Sequence, residues 1–286
     1  MIRSRLSVPP LKPAANQDGV PPDAQLQQAG FAATSPLMPS KAMILAAGLG
    51  ERMRPLTIYK PKPLIEVCGQ PIIDWCFDHL RRAGVNNNVV NLHYLGEMIE
   101  HHLEKMGEKY PNSSISFSPE KELLNTGGGV RQALPLLGEE AFFVLNADTI
   151  WLDGPMPALR RLAECWDETT MDVLLLMQPK PKAHFHDGPG DYAMDSLGRL
   201  RYRKEREIVS YVYAGVHIMH PRLLEHAPQG AFSLKKLWDS AEKEGRLYGL
   251  VHDGWWFHVG TPEALDATNN ILQRKTVHWV SPHEQP

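Results

Sequence analysis

From Lys41 onward, short apolar runs alternate with amphipathic stretches, and this alternation constrains the fold more than any other feature of the chain. KAMILAA (41–47), NVVNLHY (88–94), SISFSPE (114–120) and AFFVLNAD (141–148) have the length and branched, apolar content of strands. Between them, IIDWCFDHLRRAG (72–84), LGEMIEHHLEKMG (95–107) and GGVRQALPLLG (128–138) read as helices, the first closed by Gly84 at the position after its last turn. Strands that alternate with helices build a parallel sheet covered on both faces. After PALRRLAECW (157–166), the stretches MDVLLLMQ (171–178), DYAMDSLGRLRY (191–202) and VSYVYAGVHIMH (209–220) suit antiparallel pairing. The expected fold is α/β, with a mixed, mainly parallel sheet flanked by helices in one domain from residue 41 to 275.

Residues 1–40 are rich in Pro, Gln and Ala, without strand alternation or a helical stripe, and are expected to be a disordered extension. Residues 276–286 are expected to be a tail. No repeat of 20–50 residues occurs, and no hexapeptide repeat follows Thr261, which excludes a β-helix at the end. The net charge of −3 leaves no broad cationic field for nucleic acid or an anionic membrane, so any anion is bound locally. No apolar run reaches the roughly 20 residues of a membrane span, and the start lacks a secretory core. The three cysteines, Cys68, Cys76 and Cys165, form no C-x-x-C pair and suit a reducing cytoplasm, where they are expected as small core residues. His101 and His102 fall on a helix face, and His184 and His186 lack a third ligand at zinc spacing.

The first strand runs into AAGLGERMRPLTIYKPKPL. Gly48 and Gly50 allow backbone N–H groups to approach an anion, and Arg52 and Lys62 bring positive charge from two sides. Pro55, Pro61 and Pro63 stiffen the loop and reduce the entropy lost when a ligand is bound. A Gly-x-Gly by itself better suits a surface loop with solubilising basic residues. A Walker A loop is absent, and a dinucleotide fingerprint fails because Met53 stands where its third glycine belongs.

The complete string, Leu45-Ala46-Ala47-Gly48-Leu49-Gly50-Glu51-Arg52-Met53-Arg54-Pro55-Leu56-Thr57 followed by Pro61-Lys62-Pro63-Leu64, resembles the signature of the sugar-1-phosphate nucleotidyltransferases, L-A-A-G-x-G-x-R-x-x-P-x-T and P-K-P-[LM]. The resemblance runs from Lys41 to about Leu272. It implies a single Rossmann-like domain of the glycosyltransferase-A type, and a reaction between a nucleoside triphosphate and a sugar 1-phosphate. Ala47, Gly48, Gly50, Glu51, Arg52 and Lys62 would then bind the nucleotide, with Arg52 and Lys62 also catalytic. In LLNTGGGV, read as a turn leading into a helix, Thr126 and Gly127 would lie beside the base. Asn125 replaces a glutamate of the uridylyltransferase branch that this segment most resembles.

Asp148, just past a buried strand, sits where α/β sheets place ligands, and a carboxylate there suits Mg²⁺. On sequence grounds alone it better suits a turn or a helix cap; the resemblance makes it the metal aspartate. In GWWFHVGT, His258 stands where the family has a second metal-binding aspartate, and Asp253 is a weaker stand-in. Three readings stay open: Asp148 holds the metal with phosphate oxygens, His258 joins it on a softer ion such as Mn²⁺, or His258 hydrogen-bonds a phosphate. Asn146 and Asp191, the latter in a G-D-Y segment, would meet the sugar. Trp255 and Trp256 are read as a buried edge. The substrates implied first are UTP and N-acetylmuramic acid 1-phosphate. A mannose- or heptose-1-phosphate guanylyltransferase is the alternative, and a nucleotide-sugar sensor without turnover is a third reading kept open by His258.

Overall fold

The computed structural model describes residues 38–276, so the expectations for residues 1–37 and 277–286 lie outside the described residues. Met38 packs against the core, and Pro39 is buried.

In chain order, β1 (Lys41–Leu45) leads to a short hairpin, β2 (Glu66–Val67) and β3 (Gln70–Pro71), and then to α1 (Ile72–Ala83). β4 (Asn87–Leu92), α2 (Gly96–Lys109), β5 (Ser114–Pro119), α3 (Asn125–Leu137) and β6 (Phe142–Asn146) complete the first half. β6, β1, β4 and β5 lie side by side in parallel, as the strand–helix rhythm requires. Gly84 ends α1 in the left-handed conformation, φ 80°.

The second half contains β7 (Ile150–Leu152), α4 (Ala158–Cys165), β8 (Val173–Pro179), β9 (Ala183–His184), β10 (Tyr192–Met194), β11 (Leu200–Tyr202), β12 (Tyr211–Met219), α5 (Lys235–Lys243), β13 (Leu247–Val251), β14 (Trp255–Phe257) and α6 (Pro262–Thr276). β12 runs antiparallel beside both β6 and β8, and β13 adds in parallel to β8. The sheet is therefore mixed and mainly parallel in its first half, in one Rossmann-like α/β domain.

Alternation along β1 divides the core. Ala42 and Ile44 face one side with Phe77, Leu80, Ile99 and Leu103, while Met43 faces the other with Val130, Ala133 and Leu137. A third cluster, including Met53, Ile65, Phe257 and Leu265, lies under the loop after β1.

Two expectations need correction. Helix α3 begins at Asn125 rather than at Gly128, so Gly127 lies inside it rather than in a turn before it. A Cβ on Gly127 would overlap the Phe232 ring, one on Gly128 would stand 2.5 Å from the Gly230 carbonyl oxygen, and one on Gly129 2.6 Å from Glu120 Oε1. Close packing of the helix start on three neighbours thus explains glycines that local propensity assigns to a turn. Of the cysteines, only Cys76 is a core residue; Cys68 and Cys165 are exposed, and all three are free.

Candidate active site

The chain leaves β1 at the carboxyl edge of the parallel strands, where open α/β sheets bind ligands. The Ala46 N–H donates to Asn91 Oδ1 at 2.8 Å, which fixes where the loop starts. Gly48 is exposed, and no atom lies within 4 Å of the place a Cβ would take, so its backbone faces open space. Gly50 has φ 64°, and a Cβ there would press on Thr57 Cγ2 at 3.0 Å and Lys62 Cβ at 3.1 Å. Both its conformation and its neighbours require glycine. Thr57 Oγ1 donates to the Gly50 carbonyl at 2.8 Å, and the Tyr94 O–H donates to the Thr57 carbonyl at 2.8 Å. Lys62, nearly buried in a turn opened by Pro61, donates from Nζ to Asp148 Oδ2 at 2.7 Å.

Two clefts meet here. The larger, of about 480 Å³, is lined by Gly48, Gly50, Glu51 and Leu123 among others; the smaller, of about 210 Å³, by Asn146, Asp191, His186 and His258 among others. Arg52, Lys62 and Asp148 line both, forming the wall where the contents of the two clefts would touch. Ala47 is buried just behind the larger cleft. Thr126 and Gly127 lie outside both linings. The Thr126 N–H donates to its neighbour Asn125 Oδ1 at 2.7 Å, and the Gly127 N–H to the Phe232 carbonyl at 2.8 Å.

The smaller cleft exists because β12 changes partners. Val216 pairs with Leu145 of β6, whereas Tyr211 pairs with Tyr192 of β10, and on the other edge the pairing of β12 with β8 shifts register between Tyr213 and His217. Between the β10 and β6 pairings, Val212, Tyr213 and Gly215 face the cleft. Asp191 is held at its rim by the Tyr213 N–H, 2.9 Å from Oδ2.

The small sheet β7-β14-β9 brings in the remaining groups. Antiparallel pairing of Phe257 with Ile150 carries His258 alongside Thr149 and Asp148. Parallel pairing of Phe257 with His184 brings His186 to the same end, its ring 5.7 Å from that of His258. Trp256 is buried, its Nε1 donating to the Ala214 carbonyl at 2.9 Å, while Trp255 is exposed. Asp253 pairs with Arg161 at 2.9 Å and lines neither cleft.

Burial pushes the Asp148 carboxyl up, but Lys62, with smaller contributions from His258 and Arg52, outweighs it and holds the group below the ordinary carboxylate range. His258 is pushed down by burial first and then by the Arg52 charge, so near neutral pH it is the uncharged imidazole. Among the described residues no three His, Cys, Asp or Glu gather as a metal-ligand group. Ionised Asp148 and neutral His258 are a sparse donor set, which fits a divalent cation that takes most of its ligands from phosphate and water.

Three contributors escaped the sequence reading. Asn91 bridges from Ala46 to Glu120, donating from Nδ2 to Oε1 at 2.7 Å, and Glu120 Oε2 accepts the Leu124 N–H at 2.8 Å. These residues and Tyr94 tie the walls of the larger cleft together, and the partners of Asn91 and Tyr94 are distant in sequence.

The profile of the nucleotidyl transferase family matches residues 41–185. An N-acetylmuramate alpha-1-phosphate uridylyltransferase of Caulobacter vibrioides is 42% identical over 228 residues, covering 79% of this chain and 94% of the relative. A mannose-1-phosphate guanylyltransferase catalytic subunit beta of Xenopus tropicalis is 31% identical, over 78% of this chain and 62% of the relative. Among solved structures, a UDP-glucose pyrophosphorylase complexed with UDP-glucose superposes with a TM-score of 0.69, covering 83% of this chain and all of the other (100%), at 17% identity, and shares the fold. The motif that opens the larger cleft, the architecture around it and the extent of these matches agree: the chain belongs to the sugar-1-phosphate nucleotidyltransferase family.

Proposed function

We propose that this nucleotidyltransferase joins UTP to N-acetylmuramic acid 1-phosphate, giving the nucleotide-sugar and pyrophosphate, as a cytoplasmic step of peptidoglycan recycling. One observation carries the choice of substrates: the chain aligns with 94% of the Caulobacter uridylyltransferase, but with only 62% of the Xenopus guanylyltransferase.

In this reading the larger cleft takes the triphosphate, on the backbone of Gly48, Gly50 and Glu51, with the buried Ala47 behind them; Thr126 and Gly127, outside the lining, would reach the base only from beyond the cleft wall. The smaller cleft takes the sugar phosphate, with Asn146 and Asp191 on the sugar. The attacking phosphate oxygen is already an anion, so little is asked of a general base; bringing two polyanions into line is the main difficulty. Arg52 balances charge on the departing pyrophosphate, and Lys62 holds the α-phosphate or the incoming phosphate while Asp148 orients its ammonium. Asp148 would hold Mg²⁺ together with phosphate oxygens, or Asp148 and His258 would hold Mn²⁺ if the imidazole ligates. The bound ion supplies Lewis-acid charge neutralisation at the phosphates.

Pyrophosphate release is the test, with each nucleoside triphosphate against a panel of sugar 1-phosphates, in Mg²⁺ and in Mn²⁺. Release confined to UTP with N-acetylmuramic acid 1-phosphate is expected. Release with GTP and a mannose or heptose phosphate would overturn the substrates, and substrate binding without release under either metal would favour a sensor.

A further inference from the structure

The loop from Ala46 to Lys60 supplies half of the residues that line the larger cleft, yet little apolar burial holds it in place. Leu56, Ile58 and Tyr59 are 41%, 44% and 86% exposed, and within the loop only Ala46, Ala47, Met53 and Thr57 are buried. Hydrogen bonds from residues at and just beyond the end of β4 take over. Asn91 holds the start of the loop through the Ala46 N–H. Tyr94, three residues on, holds its far side: the single phenolic proton lies between the Thr57 carbonyl at 2.8 Å and the Ile58 carbonyl at 3.2 Å. Thr57 passes the restraint on, since its hydroxyl donates to the Gly50 carbonyl, between β1 and Arg52 in the chain. Neither Tyr94 nor Thr57 lines a cleft.

We infer that Tyr94 is a positioning residue for the nucleotide, acting through Thr57 to hold the Gly48–Arg52 segment in its binding conformation before any ligand arrives. The inference rests on the reading that this loop binds the triphosphate. A loop tethered in advance loses less conformational entropy on binding, so removal of the tether weakens nucleotide binding and spares the other substrate. The sugar phosphate would be contacted from β6, β10 and the segment after β14, none of which Tyr94 touches.

Tyr94→Phe removes one oxygen and keeps the ring; Thr57→Val keeps the buried shape and removes the second bond in the chain. Each is expected to raise the nucleotide KM about fivefold while leaving the sugar phosphate KM within about twofold. Tryptic cleavage after Arg52 reports loop order independently, because Arg54 and Lys60 precede prolines and resist the protease. Both variants should be cut faster than the parent without nucleotide. Unchanged nucleotide KM and cleavage rate in both variants would overturn the inference, as would an equal rise in both KM values. Arg52→Ala separates the two layers of argument. If it retains normal nucleotide KM and kcat, the assignment of the loop to the triphosphate fails; if it is crippled while Tyr94→Phe and Thr57→Val behave as the parent, only the positioning role fails.

Discussion

Arg52 stands exposed on the wall common to both clefts, held there by a short turn whose next residue, Met53, is sunk in the third hydrophobic cluster. Its side chain supports no core, so its loss separates catalysis from folding. Arg52→Ala is expected to lower kcat about a hundredfold or more, with an unchanged melting temperature, in steady-state assays and thermal melts of the same preparation. That Arg52 and Lys62 share a cleft was legible in the sequence because both lie in a contiguous motif whose residue types match phosphate chemistry, and Asp148 joined them through the family resemblance. Asn91, Glu120 and Tyr94 were not legible. A polar residue at the end of a strand reads as a solvated position, and the bonds that bury Asn91 reach partners 45 and 29 residues away. His258 lay between: its motif marked the place, but only the register of β14 on β7 shows that it comes alongside Asp148.

Helices α1 and α2 follow from local periodicity, since each has an apolar stripe that reports the layer it packs on, while strands β1, β4 and β6, covered on both faces, follow from short continuous apolar runs. α3 departs from this because its first turn is shaped by contact rather than propensity. Gly128→Ala would improve helix propensity, yet the new methyl would meet the Gly230 carbonyl oxygen. The clash should prevail, with a loss of about 1–3 kcal/mol measured by urea denaturation. A stabilised variant would show that the loop around Gly230 yields at little cost. The switch of β12 from β6 to β10 was also illegible: both pairings are non-local, and the bulge between Tyr213 and His217 has no turn signal beyond Gly215.

Across the whole molecule, buried histidines tie stability to pH. His217 is fully buried, its Nδ1 bonded to the Tyr213 hydroxyl at 2.7 Å, and burial pushes it down to about 3 from an ordinary value of 6.5. Between those values the unfolded chain binds a proton that the folded chain refuses. Stability therefore falls as pH drops from 6.5 towards 3, by about 1.4 kcal/mol per pH unit for this one group, and the contribution is flat above 6.5. His217→Gln keeps a polar partner for Tyr213 and should flatten the slope by that amount in urea unfolding at pH 4, 5 and 6. An unaltered slope would mean that His217 is not held neutral. The wall shared by the two clefts carries a different consequence. In the proposed reading, with the triphosphate on one side of Arg52, Lys62 and Asp148 and the sugar phosphate on the other, donor and acceptor would meet directly, and no side chain would need to carry the nucleotidyl group. One displacement would be one inversion: an α-phosphorus made chiral by sulfur substitution is expected to leave the protein with its handedness reversed.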